Sequence, residues 1–347
     1  MAKYGKGDIL NGYKLLENFK LVGQCEYTFA SKHGEEFFIK KFLDPVYPIP
    51  SAPGSEKTKQ LLKKQCEEFE KHHIAIMNAL KGKSVKGGNL IITLDFFRQG
   101  SHFYKVTTRV NVAGVSISAI STLPYDKRIL ILLTVANSLK LLHQSDIVHG
   151  DLKPDNILIN KTEVDIYVAK LIDFDSSYFS GKPPIEVVGD PVYYSPELGR
   201  YIEFSEKRIL HDLQLKSDIF ALGLIYHQYL TGELPSYNKT KYKYAYAAIL
   251  DGSELIIDAS ITSRLTTLLR QMLKKEYSER PNIMQIMSYL KEDDDRIIVE
   301  PYPPPSHGGA GKLSIFKAGT TPSEAIKSKP AEPKSEGKLS IFKGGTV

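Results

Sequence analysis

Residues 149–156 read HGDLKPDN and run directly into Ile157-Leu158-Ile159, and Asp173 follows seventeen positions after Asn156 within Leu171-Ile172-Asp173-Phe174-Asp175. Taken alone, the two segments fit a polar loop and a buried acidic pair. Their surroundings add more. Downstream, residues 124–144, 216–230, 242–250, 263–275 and 282–291 carry apolar side chains at helical spacing, so the stretch 124–296 is expected to be mostly helical. Upstream, residues 10–108 hold short runs rich in β-branched and aromatic residues: FKLVGQCEYTFAS, EEFFIKKF, NLIITLDFFRQ and SHFYKVTTRV. One helix interrupts them, over 55–80, with Leu62, Cys66, Phe69, Ile76 and Leu80 at its spacing and Ser55-Glu56 as its start. The four prolines of DPVYPIPSAPGS make the preceding segment a loop. A β-rich small lobe followed by a helical large one is an α+β arrangement, and the cleft between lobes is the default ligand site.

Composition bounds the function. With 347 residues, 42% hydrophobic and 25% charged, the chain can bury a substantial core, and a fibre, a disordered chain and a membrane protein are excluded. The apolar stretch 129–142 is interrupted by Thr134, Asn137, Ser138 and Lys140, and MAKYGKGDIL has no apolar signal region. Cys25 and Cys66 are too few for a disulfide framework. These observations lead us to expect a cytoplasmic protein. The net charge of +6 is uneven: residues 303–347 hold seven lysines and three glutamates, leaving +2 on 1–302. No nucleic-acid or membrane partner is expected on that balance.

Residues 303–347 form a tail in which six prolines, seven glycines and six serines argue for disorder. It contains a duplication: residues 311–320 read GKLSIFKAGT and residues 337–346 read GKLSIFKGGT. The GKLSIFK block is either a duplicated linker with no role or a docking peptide that adds as a strand to a partner protein, two copies raising avidity.

Segments 149–156 and 171–175 together resemble the H-R-D-L-x-x-x-N and D-F-G motifs of protein kinases. GDPVYYSPE (189–197) resembles the end of a kinase activation segment, SDIFALG (217–223) the helix whose Asp218 braces the catalytic loop, and LLRQMLKKEYSERP (268–281) the segment whose Arg280 pairs with Glu197. The chain is thereby identified as a member of the protein kinase superfamily, of the eukaryotic (Hanks) Ser/Thr type and bacterial in style. The resemblance implies a two-lobed kinase domain over 10–302, with an N-lobe at about 10–108 and a C-lobe at about 109–299. It also implies ATP as donor, Mg²⁺ as cofactor and protein substrates, and it adds two readings of the GKLSIFK block: a self-phosphorylation site at Ser314 and Ser340 or Thr320 and Thr346, or an inhibitor of the chain's own groove. Asp151 would orient the acceptor hydroxyl, Lys153 would meet the transferring phosphoryl group, and Asn156 and Asp173 would hold Mg²⁺. Lys40, in the V-A-I-K-like Phe38-Ile39-Lys40, would contact the nucleotide phosphates. Its carboxylate partner is expected to be Glu70, although counting back from Leu80 puts His73 there. Gly23, Ala30, Phe38, Thr107, Thr108, Arg109, Val110 and Leu158 would surround the nucleotide, with Cys25 a free thiol above the phosphates.

The chain departs from the pattern at several points. Only Gly23 remains of the glycine-rich loop, and Glu26 is expected to add negative charge there. Gly150 replaces the arginine of H-R-D, Asp190 replaces a threonine and is expected to pair with Lys153, and Asp175 replaces the glycine of D-F-G. These departures keep two alternatives open: an inactive pseudokinase or nucleotide-binding scaffold, and a small-molecule kinase of the choline and aminoglycoside type.

Overall fold

The computed structural model describes residues 4–23, 25–49, 53–83, 88–110, 114–183, 189–204, 212–292, 297–299 and 315–317. Its first part is an antiparallel sheet of β1 (Ile9–Leu10), β2 (Tyr13–Leu15), β3 (Lys20–Val22), β4 (Cys25–Lys32), β5 (Glu35–Phe42), β6 (Thr93–Gln99) and β7 (His102–Thr108). The strand order is β1-β2-β4-β5-β7-β6, with β3 also on β4. Lys32 pairs with Glu35 across His33-Gly34, both at positive φ (51° and 79°), which is the geometry of a tight two-residue hairpin. The β-rich run FKLVGQCEYTFAS is a hairpin of β3 and β4. Val22 pairs with Cys25, and Gly23 makes the turn at φ 57°.

Between β5 and β6 lies α1 (Glu56–Leu80), capped by Ser55, whose hydroxyl accepts the Thr58 N–H at 3.1 Å. Its buried stripe of Cys66, His73, Ile76 and Leu80 packs on the sheet, where Phe42, Cys66, Phe96 and Phe103 form a cluster. The opposite face of the sheet closes a second cluster of Leu10, Tyr13, Leu15, Ala30, Ile39, Tyr104 and Val106.

The second part contains α2 (Ile117–Ser121), α3 (Tyr125–His143), β8 (Ile147–Val148), β9 (Ile157–Lys161), β10 (Tyr167–Leu171), β11 (Tyr178–Phe179), α4 (Pro196–Phe204), α5 (Leu215–Thr231), α6 (Ala245–Leu250), α7 (Ser263–Met272) and α8 (Ile283–Glu292). The helices read from sequence are present. The short α2 and α4 were not anticipated, since five and nine residues give periodicity little to act on. α3 and α5 are the spine of a continuous apolar core that extends to Met272 and Leu290. The lobes are stitched near Leu90, because the Ile91 N–H donates to the Leu171 carbonyl and the Leu171 N–H to that of Asn89, at 2.9 and 2.8 Å. The architecture is the expected α+β, a curled sheet lobe and a helical lobe. Among the described residues no helix is long and apolar enough to cross a membrane.

Most of the tail, including the second GKLSIFK copy, lies outside the described residues. Within the first copy, β13 (Ile315–Lys317) pairs antiparallel with β12 (Ile297–Val299). These three tail residues include a β-branched and an aromatic side chain, types that favour a strand.

Candidate functional site

The 149–156 loop is shaped from below by Asp218 on α5. Its carboxylate accepts the N–H groups of His149 (2.8 Å) and Gly150 (3.2 Å) and lies 2.9 Å from His143 Nε2. Above this brace the Asp151 carboxylate is held on both oxygens. Oδ1 accepts the Asp190 N–H at 2.9 Å, and Oδ2 accepts Asn156 Nδ2 at 3.1 Å and lies 2.8 Å from Lys153 Nζ. Lys153 thus pairs with Asp151. The expectation that it pairs with Asp190 is corrected, because the Asp190 carboxylate turns back to cap the Val192 N–H at 3.0 Å. Asn156 is buried, and its amide nitrogen is spent on Asp151, leaving Oδ1 as its free acceptor. Its backbone carbonyl accepts the Ile172 N–H at 3.0 Å, which sets Asn156 beside Asp173. Two hard oxygen donors, one an amide and one a carboxylate, suit Mg²⁺, which keeps several waters and takes few protein ligands.

Gly150 is required by space as well as by backbone. It sits at φ 79°, and a Cβ there would lie 2.3 Å from the Ser176 carbonyl oxygen and 3.2 Å from the Tyr178 ring. An arginine cannot occupy this position. Gly150→Ala is expected to destabilise the protein by about 3 kcal/mol, from backbone strain plus overpacking. Urea denaturation checks this, and an unchanged midpoint would show that the loop relaxes around the methyl group.

Asp173 adopts a left-handed backbone (φ 58°, ψ 72°), a conformation a non-glycine residue rarely takes. Its carboxylate meets two lysines: Lys105 Nζ at 2.8 Å and Lys40 Nζ at 3.2 Å. Asp175 meets the same two, Lys40 at 2.5 Å and Lys105 through its other oxygen. Burial opposes ionisation of Asp173, but the Lys105 and Lys40 ammonium groups hold it well below the usual carboxylate range. Burial likewise opposes charge on Lys40, and the two aspartates raise its pKa regardless. The expected Lys40–Glu70 pair is corrected. Glu70 lies at the margin of the α1 stripe, half-buried, and the residue that α1 turns to the cluster is His73, whose Nε2 is 4.0 Å from Asp175 Oδ1. His73 lies among Phe42, Phe69 and Phe96, and burial pushes its pKa down to about 4. Sequence reasoning missed Lys105. A lysine in the middle of the apolar run FYKVTT, 4% exposed here, was the available signal.

Above the cleft, strand register decides which residues face inward. Lys40 pairs with Tyr27 and Lys105, and Phe38 pairs with Phe29 and Thr107, so these six share one face. Ala30 is one residue out of phase. It is fully buried on the opposite face with Ile39 and Val106, so the expectation that it faces the cleft is corrected: Phe29 does. Tyr27 stacks on Phe38 with centroids 5.5 Å apart, and Arg109 lies 4.1 Å above the Phe29 ring. Glu26 also faces away and pairs with Lys41 at 2.6 Å, so the negative charge expected in the cleft is absent. Cys25 is a free, half-buried thiol; burial raises its pKa, with Lys40 opposing. Thr108 is exposed at the end of β7, and Val110 and Leu158 are half-buried.

Far from the cleft, Arg280 is 1% exposed and donates from all five of its N–H positions. It reaches both Glu197 oxygens (2.8 and 2.7 Å) and the carbonyls of Lys216, Lys274 and Lys275.

Residues 47–290 match the protein-family model described as protein kinase domain. Similar proteins include serine/threonine-protein kinase PSK2 of Saccharomyces cerevisiae, 29% identical over 222 residues, which are 61% of this chain and 18% of that protein. Human serine/threonine-protein kinase ULK1 is 26% identical over 197 residues, 52% of this chain and 18% of its own length. A probable serine/threonine-protein kinase of Clostridium perfringens is 26% identical over 239 residues, 65% of this chain and 32% of its own. The chain thus spans at most about a third of the length of these relatives. Lys40 and the β3–β4 hairpin precede the matched residues.

Proposed function

The chain belongs to the protein kinase domain family, and from that premise we propose that it transfers the γ-phosphoryl group of ATP to serine and threonine hydroxyls of proteins, its own tail among them. The observation that carries this reading is the Asp151 carboxylate, fixed by Asp190, Asn156 and Lys153 beside Asp173. Asp151 receives the hydrogen bond of the acceptor hydroxyl and aims its oxygen. Lys153, one N–O contact away, meets the phosphoryl group as it moves. Lys40 contacts the phosphates from the roof. Asn156 Oδ1 and Asp173 would hold Mg²⁺, which would supply neutralisation of phosphate charge. Phe38 and Leu158 would enclose the base, Thr108, Arg109 and Val110 would offer its edge, Thr107 would stand behind it, and Gly23 turns the hairpin on the phosphate side. Two unbridged cysteines support a reducing, cytoplasmic setting, and the low charge of residues 1–302 supports protein over nucleic-acid substrates.

A second reading, a nucleotide-binding scaffold without transfer, draws on one observation: Lys40 and Asp173 are already engaged with each other and with Lys105 and Asp175. The deciding experiment incubates purified protein with Mg²⁺ and labelled ATP and maps phosphorylated residues by mass spectrometry. Mg²⁺-dependent label at serine or threonine, including Ser314, Thr320, Ser340 or Thr346, is expected. Nucleotide binding with no label on the chain or on a generic protein substrate selects the scaffold.

A further inference from the structure

Lys40 and Lys105 are directly paired positions on β5 and β7, so two ammonium groups project side by side from one face of the sheet. Lys105 is 4% exposed, and such a charge is tolerated only when paired. α1 brings no carboxylate to them; its inward residue is His73. Both negative charges come instead from the segment after β10. Asp173 touches both lysines, and Asp175 touches both again with a different oxygen for each. The four residues form a closed ring of two cations and two anions.

In protein kinases the phosphate-contacting lysine is aimed by a glutamate from the helix. We propose that Asp175, bridged to Lys105, is the positioning residue that aims Lys40 here. The inference rests on the phosphotransfer reading above. Its chemistry follows from charge. With Asp173 turned to a cation, Asp175 alone would hold Lys40 and Lys105, and the trio would present one net positive charge to the polyphosphate. The glycine usual at position 175 has no side chain to do this, and Lys105 occupies the second Asp175 oxygen. The aim of Lys40 is then set within the sheet and the 173–175 segment, and a shift of α1 does not release it.

Asp175→Asn preserves shape and removes the charge. Calorimetric titration of ATP with Mg²⁺ is expected to show about tenfold weaker binding, the loss of a charge-assisted contact, with a matching rise in KM for ATP and no change in KM for the protein substrate. Adding His73→Glu to Asp175→Asn returns a carboxylate from the helix side and is expected to restore ATP affinity to within about threefold of wild type. Circular dichroism melting shows whether each variant is folded. Folded Asp175→Asn that binds ATP as wild type does, or a loss equal for ATP and protein substrate, overturns the inference and leaves the kinase reading intact. A wild type that binds no nucleotide overturns both.

Discussion

Asp151→Asn is expected to lower kcat for phosphoryl transfer by about 10³-fold, within the range usual for loss of a positioned acid–base group, while ATP affinity stays near that of wild type. Asparagine can still accept the Asp190 N–H with its oxygen. Its amide nitrogen then faces two donors, Asn156 Nδ2 and Lys153 Nζ, where a carboxylate oxygen had accepted both. Lys153 loses its counter-charge and the acceptor hydroxyl loses its hydrogen-bond acceptor, so the loss falls on the chemical step. Lys40, on the opposite wall of the cleft, keeps its partners, so nucleotide binding does not depend on position 151. Single-turnover kinetics beside equilibrium binding measure the two quantities separately. A variant retaining a tenth or more of the wild-type kcat would remove Asp151 from the mechanism.

Arg280→Ala is expected to cost about 3–5 kcal/mol of stability, as for other buried pairs broken on one side. The substitution leaves the Glu197 carboxyl 5% exposed, with the Ser217 hydroxyl (2.7 Å) as its remaining side-chain donor among the described residues, and strips three carbonyls of the Arg280 donor. Arg280→Lys should recover little, because an ammonium cannot span both Glu197 oxygens and the three carbonyls at once. Removing both charges, as Glu197→Leu with Arg280→Met, is expected to cost less than Arg280→Met alone. Urea denaturation of the four proteins in the cycle reads the coupling directly. Additive losses would show that the pair contributes packing only.

The large lobe was legible because its signals are local. HGDLKPDN places Asp151, Lys153 and Asn156 within six residues, and the Asp218 brace and the Glu197–Arg280 pair each sit in a recognisable short segment. The small lobe was harder because its site is assembled across strands. Whether Ala30 or Phe29 faces the cleft depends on a one-residue register that the alternation in CEYTFASK leaves open. Lys105 becomes relevant only when β7 is laid beside β5, and Asp175 only when its segment folds under both. Spacing along α1 points to His73, whereas the need for a carboxylate points to Glu70. The requirement was sound, and its source was a different segment.

The Asp218 brace also bears on how the chain acquires its shape. Asp218 reaches His149, Gly150 and His143 across 69, 68 and 75 positions of sequence. Helices α3 and α5 can form from local contacts, but the 149–156 loop takes its geometry only when they dock and close that long segment. In a refolding experiment, helical circular dichroism should therefore return before nucleotide-dependent transfer, and a nascent chain stalled short of residue 218 should hold β8 and β9 without a working Asp151. The proposed phosphoryl transfer is thereby a readout of the completed large lobe.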